Sequence, residues 1–158
     1  MKTLIVCVSI SHTNTKKVAR AIAEVLDADV VEPEDVDLTT IGDYDLVGFG
    51  SGIYFMAFHP RLRQLIGSIS PVTDRRAFVF STSGSSEPPL LGYTRRLRDQ
   101  LAAKGYDVVG SFSCRGFDTW LPLRLFGGIN KGKPDDADLD RARAFARTLV
   151  GPTPPLPD

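Results

Sequence analysis

The chain has 158 residues, enough for one ordinary domain with a full core and too few for two. Its 19 basic and 19 acidic residues leave a formal net charge of zero, which excludes the broad cationic field that holds nucleic acid. No stretch approaches the roughly 18 to 20 apolar residues of a spanning helix, and the run Leu4 to Val8 is too short for a secretory signal, so neither membrane insertion nor export is expected. Cys7 and Cys114 form no paired motif and sit in apolar sequence; reduced thiols and a cytoplasmic location follow as expectations.

The first apolar run, TLIVCV at 3–8, has the continuous hydrophobicity of a strand covered on both faces. The loop SISHTNT (9–15) leads into a helix in which Val18, Ala19, Ile22, Val25 and Leu26 recur at spacings of three and four, with Lys16, Lys17, Arg20 and Glu24 on the other side. A short second strand is predicted over 28–32. Segment 33–44 has weak periodicity and reads as a loop with one short helical turn. The third strand is DLVGFG (45–50), followed by a helix over 59–69 with Pro60 near its start. The fourth strand is AFVFS (77–81), and the helix after it spans 89–105, opened by Pro89 and stopped by Gly105. The fifth strand covers 107–114. The last helix, 134–150, starts with Pro134 and three aspartates at its positive end. The proline-rich end, 151–158, is expected to be a mobile tail beyond a domain of residues 1–150.

Strand and helix alternate, which predicts an α/β fold: a parallel sheet between two helical layers, a three-layer doubly wound sandwich of five strands. Such sheets bind ligands beyond the carboxyl ends of their strands, where strand order reverses. The stretches 9–15, 51–58, 82–88 and 114–133 are therefore the candidate site.

Within the first of these, Ser9, Ser11, Thr13, Asn14 and Thr15 crowd hydroxyls and an amide at a helix start, with no acid and no arginine. Unpaired amides at that start, the helix dipole and the hydroxyls together suit a phosphate. The plainer alternative is an N-cap, Thr13 or Asn14, in a polar loop. Competing phosphate chemistries fail on single positions. A phosphatase loop needs a cysteine, five residues, then arginine; Cys7 fits the start, but position 13 is Thr. A receiver domain needs acids after the first strand, where Ser9 stands. The run GGINKGKP (127–134) nearly makes a Walker loop, but Pro134 replaces the magnesium-binding hydroxyl.

SISHTNTKKVARAI resembles the first loop and helix of the flavodoxins, whose pattern is roughly S/T-x-T-G-N-T. GSGIYFMAFHP, FSTSGS and SFSCRGFDTW are similar to later segments of flavodoxin-like proteins, in order, over residues 3–149. The resemblance implies strand order 2-1-3-4-5 and non-covalently bound FMN, with its phosphate on Ser9, Ser11, His12, Thr13, Asn14 and Thr15. It places Ser51, Gly52, Ile53, Tyr54 and Phe55 beside the ring, and Thr82, Ser83, Gly84 and Ser85 along the ring's polar edge or ribityl chain. Phe117, Asp118 and Trp120 follow the fifth strand as further ring contacts, Arg115 and Asp118 opposing each other in charge near the flavin. Tyr54 and Phe55 read equally as packing residues, and Arg115 as a solvated one. Thr13 stands where the family has glycine and His12 where it has threonine; a positive φ at Thr13 costs around 1 kcal/mol or more.

The implied function is flavin-mediated electron transfer with a redox partner protein or small electron acceptor, as monomer or homodimer. Carriers of this family are usually strongly acidic, whereas this chain is neutral and places Arg95, Arg96 and Arg98 on one helix. That keeps open an FMN-dependent reductase of a quinone or porphyrinogen, and Thr13 keeps open a flavin-free interaction protein. The segment 119–134 reads as a partner or substrate rim.

Overall fold

The computed structural model of the chain describes residues 1–10, 13–85, 87–116 and 130–151. Among these run β1 (Thr3–Val8), α1 (Asn14–Leu26), β2 (Asp29–Val31), β3 (Leu46–Tyr54), β4 (Ala57–Phe58), α2 (Pro60–Ser68), β5 (Arg75–Ser83), α3 (Tyr93–Ala103), β6 (Tyr106–Arg115) and α4 (Asp136–Val150). The sheet order is β2-β1-β3-β5-β6, all neighbours parallel, and β4 pairs antiparallel with the end of β3. This is the flavodoxin-like path 2-1-3-4-5 read from the sequence, with one correction, the added two-residue strand β4.

Alternation along β1 divides the interior in two. Leu4, Val6 and Val8 join Leu62 and Ile66 of α2 and Leu97 and Leu101 of α3 on one side of the sheet. Ile5 and Cys7 join Val18 and Ile22 of α1 and Ala142 and Ala146 of α4 on the other. Because both faces are covered, the strand shows no polar alternation in sequence. On the α1/α4 side, Phe78 and Phe80 lie against the backbone of β3. A Cβ on Gly48 or Gly50 would come within 2.3 or 2.2 Å of those rings, so only glycine fits beneath them. Both rings are fully buried, each contributing about 1.5–3 kcal/mol of hydrophobic stabilisation.

Several boundaries differ from the sequence reading. Strand β3 continues past residue 50 because Ser51 stays in register with Val8 and Ser81, and Gly52 with Thr82. Helix α3 begins at Tyr93 rather than near Pro89. Residues 88–91 form a separate turn, Leu91 N–H donating to the Pro88 carbonyl at 3.0 Å, and the Glu87 carboxylate accepts from Thr94 N–H at 3.0 Å. Helix α4 starts two residues beyond Pro134, with Asp135 and Asp138 in a reciprocal capping box. Segment 33–44 makes two 3-10 turns, Pro33–Asp35 and Ile41–Asp43, not one. No described helix is long and apolar enough to cross a membrane. Of the expected tail, 151–158, residues 152–158 lie outside the described residues.

Candidate functional site

The candidate site is built from the segments that leave the carboxyl edge of the sheet. After β1, Ser9 and Ile10 lead toward α1, whose N-cap Thr13 has φ 53° and ψ 22° and makes no side-chain capping bond. The first helical bond of α1 there runs from Lys17 N–H to the Thr13 carbonyl at 3.0 Å. The amides of the first turn thus have no intrahelical acceptor, and the Thr13 side chain does not cap them. The Ser9 hydroxyl is buried and, among the described residues, has no hydrogen-bond partner. Thr13 thus holds a left-handed conformation, in the place where glycine is the low-strain choice.

Asn14 and Thr15 are both buried. Thr15 Oγ1 and Thr82 Oγ1 lie 2.7 Å apart, joining the β1 loop to the end of β5. One hydroxyl of the pair accepts, and it keeps its own proton for a further acceptor. Gly116, just after β6, gives Asn14 its space: a Cβ there would sit 2.7 Å from the Asn14 side-chain nitrogen.

Strand β3 supplies the next wall. Ser51 is fully buried, donates to the Gly52 carbonyl at 2.6 Å and accepts from His59 N–H at 3.0 Å, so its hydroxyl fixes the entry to α2. The Tyr54 ring folds back toward Gly52 and meets the His59 ring edge-on at 5.3 Å. Ile53 packs toward the α2/α3 core. Phe55, by contrast, is 93% exposed at the tip of the β3–β4 turn.

Around the end of β5, Thr82 is buried and Gly84 is the node. Its carbonyl accepts from Arg115 Nη1 at 3.1 Å and from Asn130 Nδ2 at 2.8 Å. Gly116 N–H donates to the Ser83 carbonyl at 3.0 Å, and Ser85 N–H approaches the Ser83 hydroxyl at 3.4 Å. The peptide plane at residues 84 and 85 is thereby held, with a guanidinium beside it. Among the described residues no group of His, Cys, Asp and Glu could hold a metal ion.

A family model for the flavodoxin domain matches residues 5–114, from β1 through most of β6. The chain belongs to the flavodoxin family. An uncharacterized protein of Methanocaldococcus jannaschii is 41% identical over 152 residues, covering 95% of this chain and 99% of its own. Solved flavodoxins share the fold. One from the domain Archaea superposes with a TM-score of 0.69 at 16% identity, covering 95% of this chain and 96% of its own. The Fusobacterium nucleatum flavodoxin bound to flavin mononucleotide has a TM-score of 0.64 at 14% identity, covering 95% and 98%.

In this member of the family the residues singled out from the sequence fall into groups. Ser9, Thr13, Gly84 and Ser85 lie on the loops at the carboxyl edge, with Asn14 and Thr15 opening α1 and Thr82 and Ser83 ending β5 beside them. Ser51 and Ile53 are engaged with the protein's own interior. Ser11, His12, Phe117, Asp118 and Trp120 lie outside the described residues. Sequence reasoning missed Asn130, which has φ 53° and reaches Gly84 across 46 positions, a link with no local signal. Burial pushes the thiols of Cys7 and Cys114 up to about 12, so both are protonated at neutral pH and serve as packed apolar groups.

Proposed function

We propose that this flavodoxin binds one FMN non-covalently at the carboxyl edge of its sheet and carries electrons between cytoplasmic redox partners. The observation that carries the reading is the opening of α1: a helix start behind a left-handed Thr13 whose side chain makes no cap, beside a buried Ser9 hydroxyl that the described protein leaves unsatisfied. A phosphate accepts from both and gains the helix dipole, without a cationic side chain. Support also comes from family membership and from the FMN bound by the Fusobacterium nucleatum relative.

In this reading Ser9, Ser11, His12, Thr13, Asn14 and Thr15 hold the phosphate through hydroxyls, an amide and main-chain N–H groups. The main chain of Gly52–Phe55 and of Thr82–Ser85 borders the ring, and Phe117, Asp118 and Trp120 complete the site. Bound FMN supplies one- and two-electron redox chemistry. The chain's own contribution is geometric and electrostatic: the Thr15–Thr82 pair fixes the phosphate loop against β5, while Asn130 and Arg115 orient the peptide after Gly84. The Arg115 guanidinium beside that peptide favours negative charge nearby.

The test is an absorbance spectrum of the protein mixed with FMN and desalted. Retained flavin bands at one equivalent are expected. A protein that emerges colourless refutes the reading.

A further inference from the structure

We infer that Thr82 is a positioning residue for the phosphoryl end of the ligand: its hydroxyl donates to Thr15 and so turns the Thr15 proton toward an anion at the start of α1. The inference rests on the FMN reading and deepens it, giving the Thr82 side chain to the phosphate while its main chain borders the ring.

Strand β5 turns Phe78, Phe80 and Thr82 to the same side of the sheet, the side covered by α1 and α4. Thr82 is 4% exposed, so a hydroxyl is buried where the two preceding inward residues are phenylalanines. Burial of a hydroxyl costs free energy unless it is bonded, and its partner is Thr15 Oγ1 at 2.7 Å. Thr15, the second residue of α1, is itself buried. The main chain of Thr82 is in register with Gly52 of β3 on one side and Cys114 of β6 on the other. The opening of α1 is thereby tied to a strand that is paired along both edges.

The proton count then limits what the pair can do. Two hydroxyls carry two protons, and one of these lies between the oxygens. The other belongs to whichever hydroxyl accepts, and among the described residues neither makes a second hydrogen bond. An anion decides which hydroxyl keeps it. Thr15 stands in the first turn of α1, where the main-chain N–H groups lack intrahelical acceptors and where the Ser9 hydroxyl also lacks a partner among the described residues. A phosphate at that helix start accepts from these groups and draws the Thr15 proton as well, and the Thr15 oxygen accepts from Thr82 in turn. Donors and acceptors then alternate from Thr82 through Thr15 to the phosphate oxygen, and each bond polarises the next. The reverse order, Thr15 donating to Thr82, spends the Thr15 proton inside the protein and turns oxygen lone pairs toward the anion.

The experiment compares, by flavin-fluorescence titration, affinity for FMN with affinity for riboflavin, which lacks the phosphate. Thr82→Val should lower FMN affinity about fivefold and change riboflavin affinity by less than about twofold. Thr82→Ser, which keeps the hydroxyl, should bind both as the wild-type protein does. Thr15→Val should lower FMN affinity about tenfold or more, and adding Thr82→Val to it should cost less than about twofold further, because Thr82 acts through Thr15. Three results would each overturn the inference. Equal losses of FMN and riboflavin in Thr82→Val would make the pair a structural tie, an unchanged or increased preference for FMN would reverse the direction of the bond, and additive losses in the double variant would put Thr82 on the ligand itself. If the wild-type protein binds neither flavin, the FMN reading fails, and inorganic phosphate decides the inference instead. Phosphate should then raise the Tm of the wild-type protein more than that of Thr82→Val; equal rises, or none in either, would overturn it.

Discussion

Replacing Thr13 with glycine isolates the strain at the head of α1. The φ of 53° costs an L-residue about 1–2 kcal/mol, the upper part of that range applying to a β-branched side chain. The Thr13 side chain is exposed and caps nothing, so its removal forfeits no capping bond. Glycine returns about 0.5–1 kcal/mol of that gain through the greater freedom of its unfolded chain. A net stabilisation of about 1 kcal/mol follows, which for a domain of this size raises Tm by about 2–4 °C. Thermal unfolding without FMN measures it, with Thr13→Ala as the control that keeps most of the strain and should move Tm little. Because the strain is present with and without ligand, FMN affinity should change by less than about threefold. A Tm that falls in the glycine variant, or an equal gain in the alanine variant, refutes the reasoning.

Ser9→Ala should act in opposite directions on two measurements: it removes a buried hydroxyl that lacks a partner among the described residues, raising stability without FMN by up to about 1 kcal/mol, and it weakens FMN binding about tenfold or more. Calorimetric unfolding and a flavin-fluorescence titration read the two, and a loss of both would show that Ser9 is satisfied within the protein. Thr15→Val strands the Thr82 hydroxyl and should cost about 1–3 kcal/mol, while Thr15→Val with Thr82→Val should recover much of it; a double variant that loses the sum of both singles would deny the pairing. The His59 imidazole is held below its ordinary 6.5 by burial, with nearby Arg61 adding to the effect, and its Nδ1 accepts from Arg61 N–H at the start of α2. Folded His59 therefore resists protonation more than unfolded His59, and its contribution is present above the unfolded value and lost as pH falls through it. Denaturant unfolding at about pH 7.5 and about pH 5.5 should show a larger loss in the wild-type protein than in His59→Asn, whose amide caps without titrating. Equal losses would remove His59 from the pH response.

What the sequence made legible was what burial and period write locally. The strand cores of β1, β3 and β5 were readable because helices on both faces demand unbroken apolar runs, and α1 because its inward stripe alternates with charged residues. The positive φ at Thr13 was legible by comparison with the glycine the family keeps there. The β4 strand was not, because Phe55 and Met56 lack the residues that ordinarily announce a tight turn. The start of α3 was misplaced because Pro88 and Pro89 imitate a helix opening, whereas the Glu87 carboxylate meets the amide of Thr94 further on. In the site, the serines and threonines were visible but not their assignments. Ser51 is turned to His59 and Thr15 to Thr82 by contacts that only the assembled sheet creates. Asn130 reaches Gly84 from a distant loop, and hydrogen bonds between loops leave no periodic trace.

The stacking of Phe78 and Phe80 over Gly48 and Gly50 constrains how the middle of this sheet can change over generations. Any methyl gained on β3 needs carbon surrendered from the ring above it, so neither partner can drift alone. Exchange there has to be pairwise, Gly50→Ala with Phe80→Leu, or Gly48→Ala with Phe78→Leu. Descendants should carry either both members of a pair or neither.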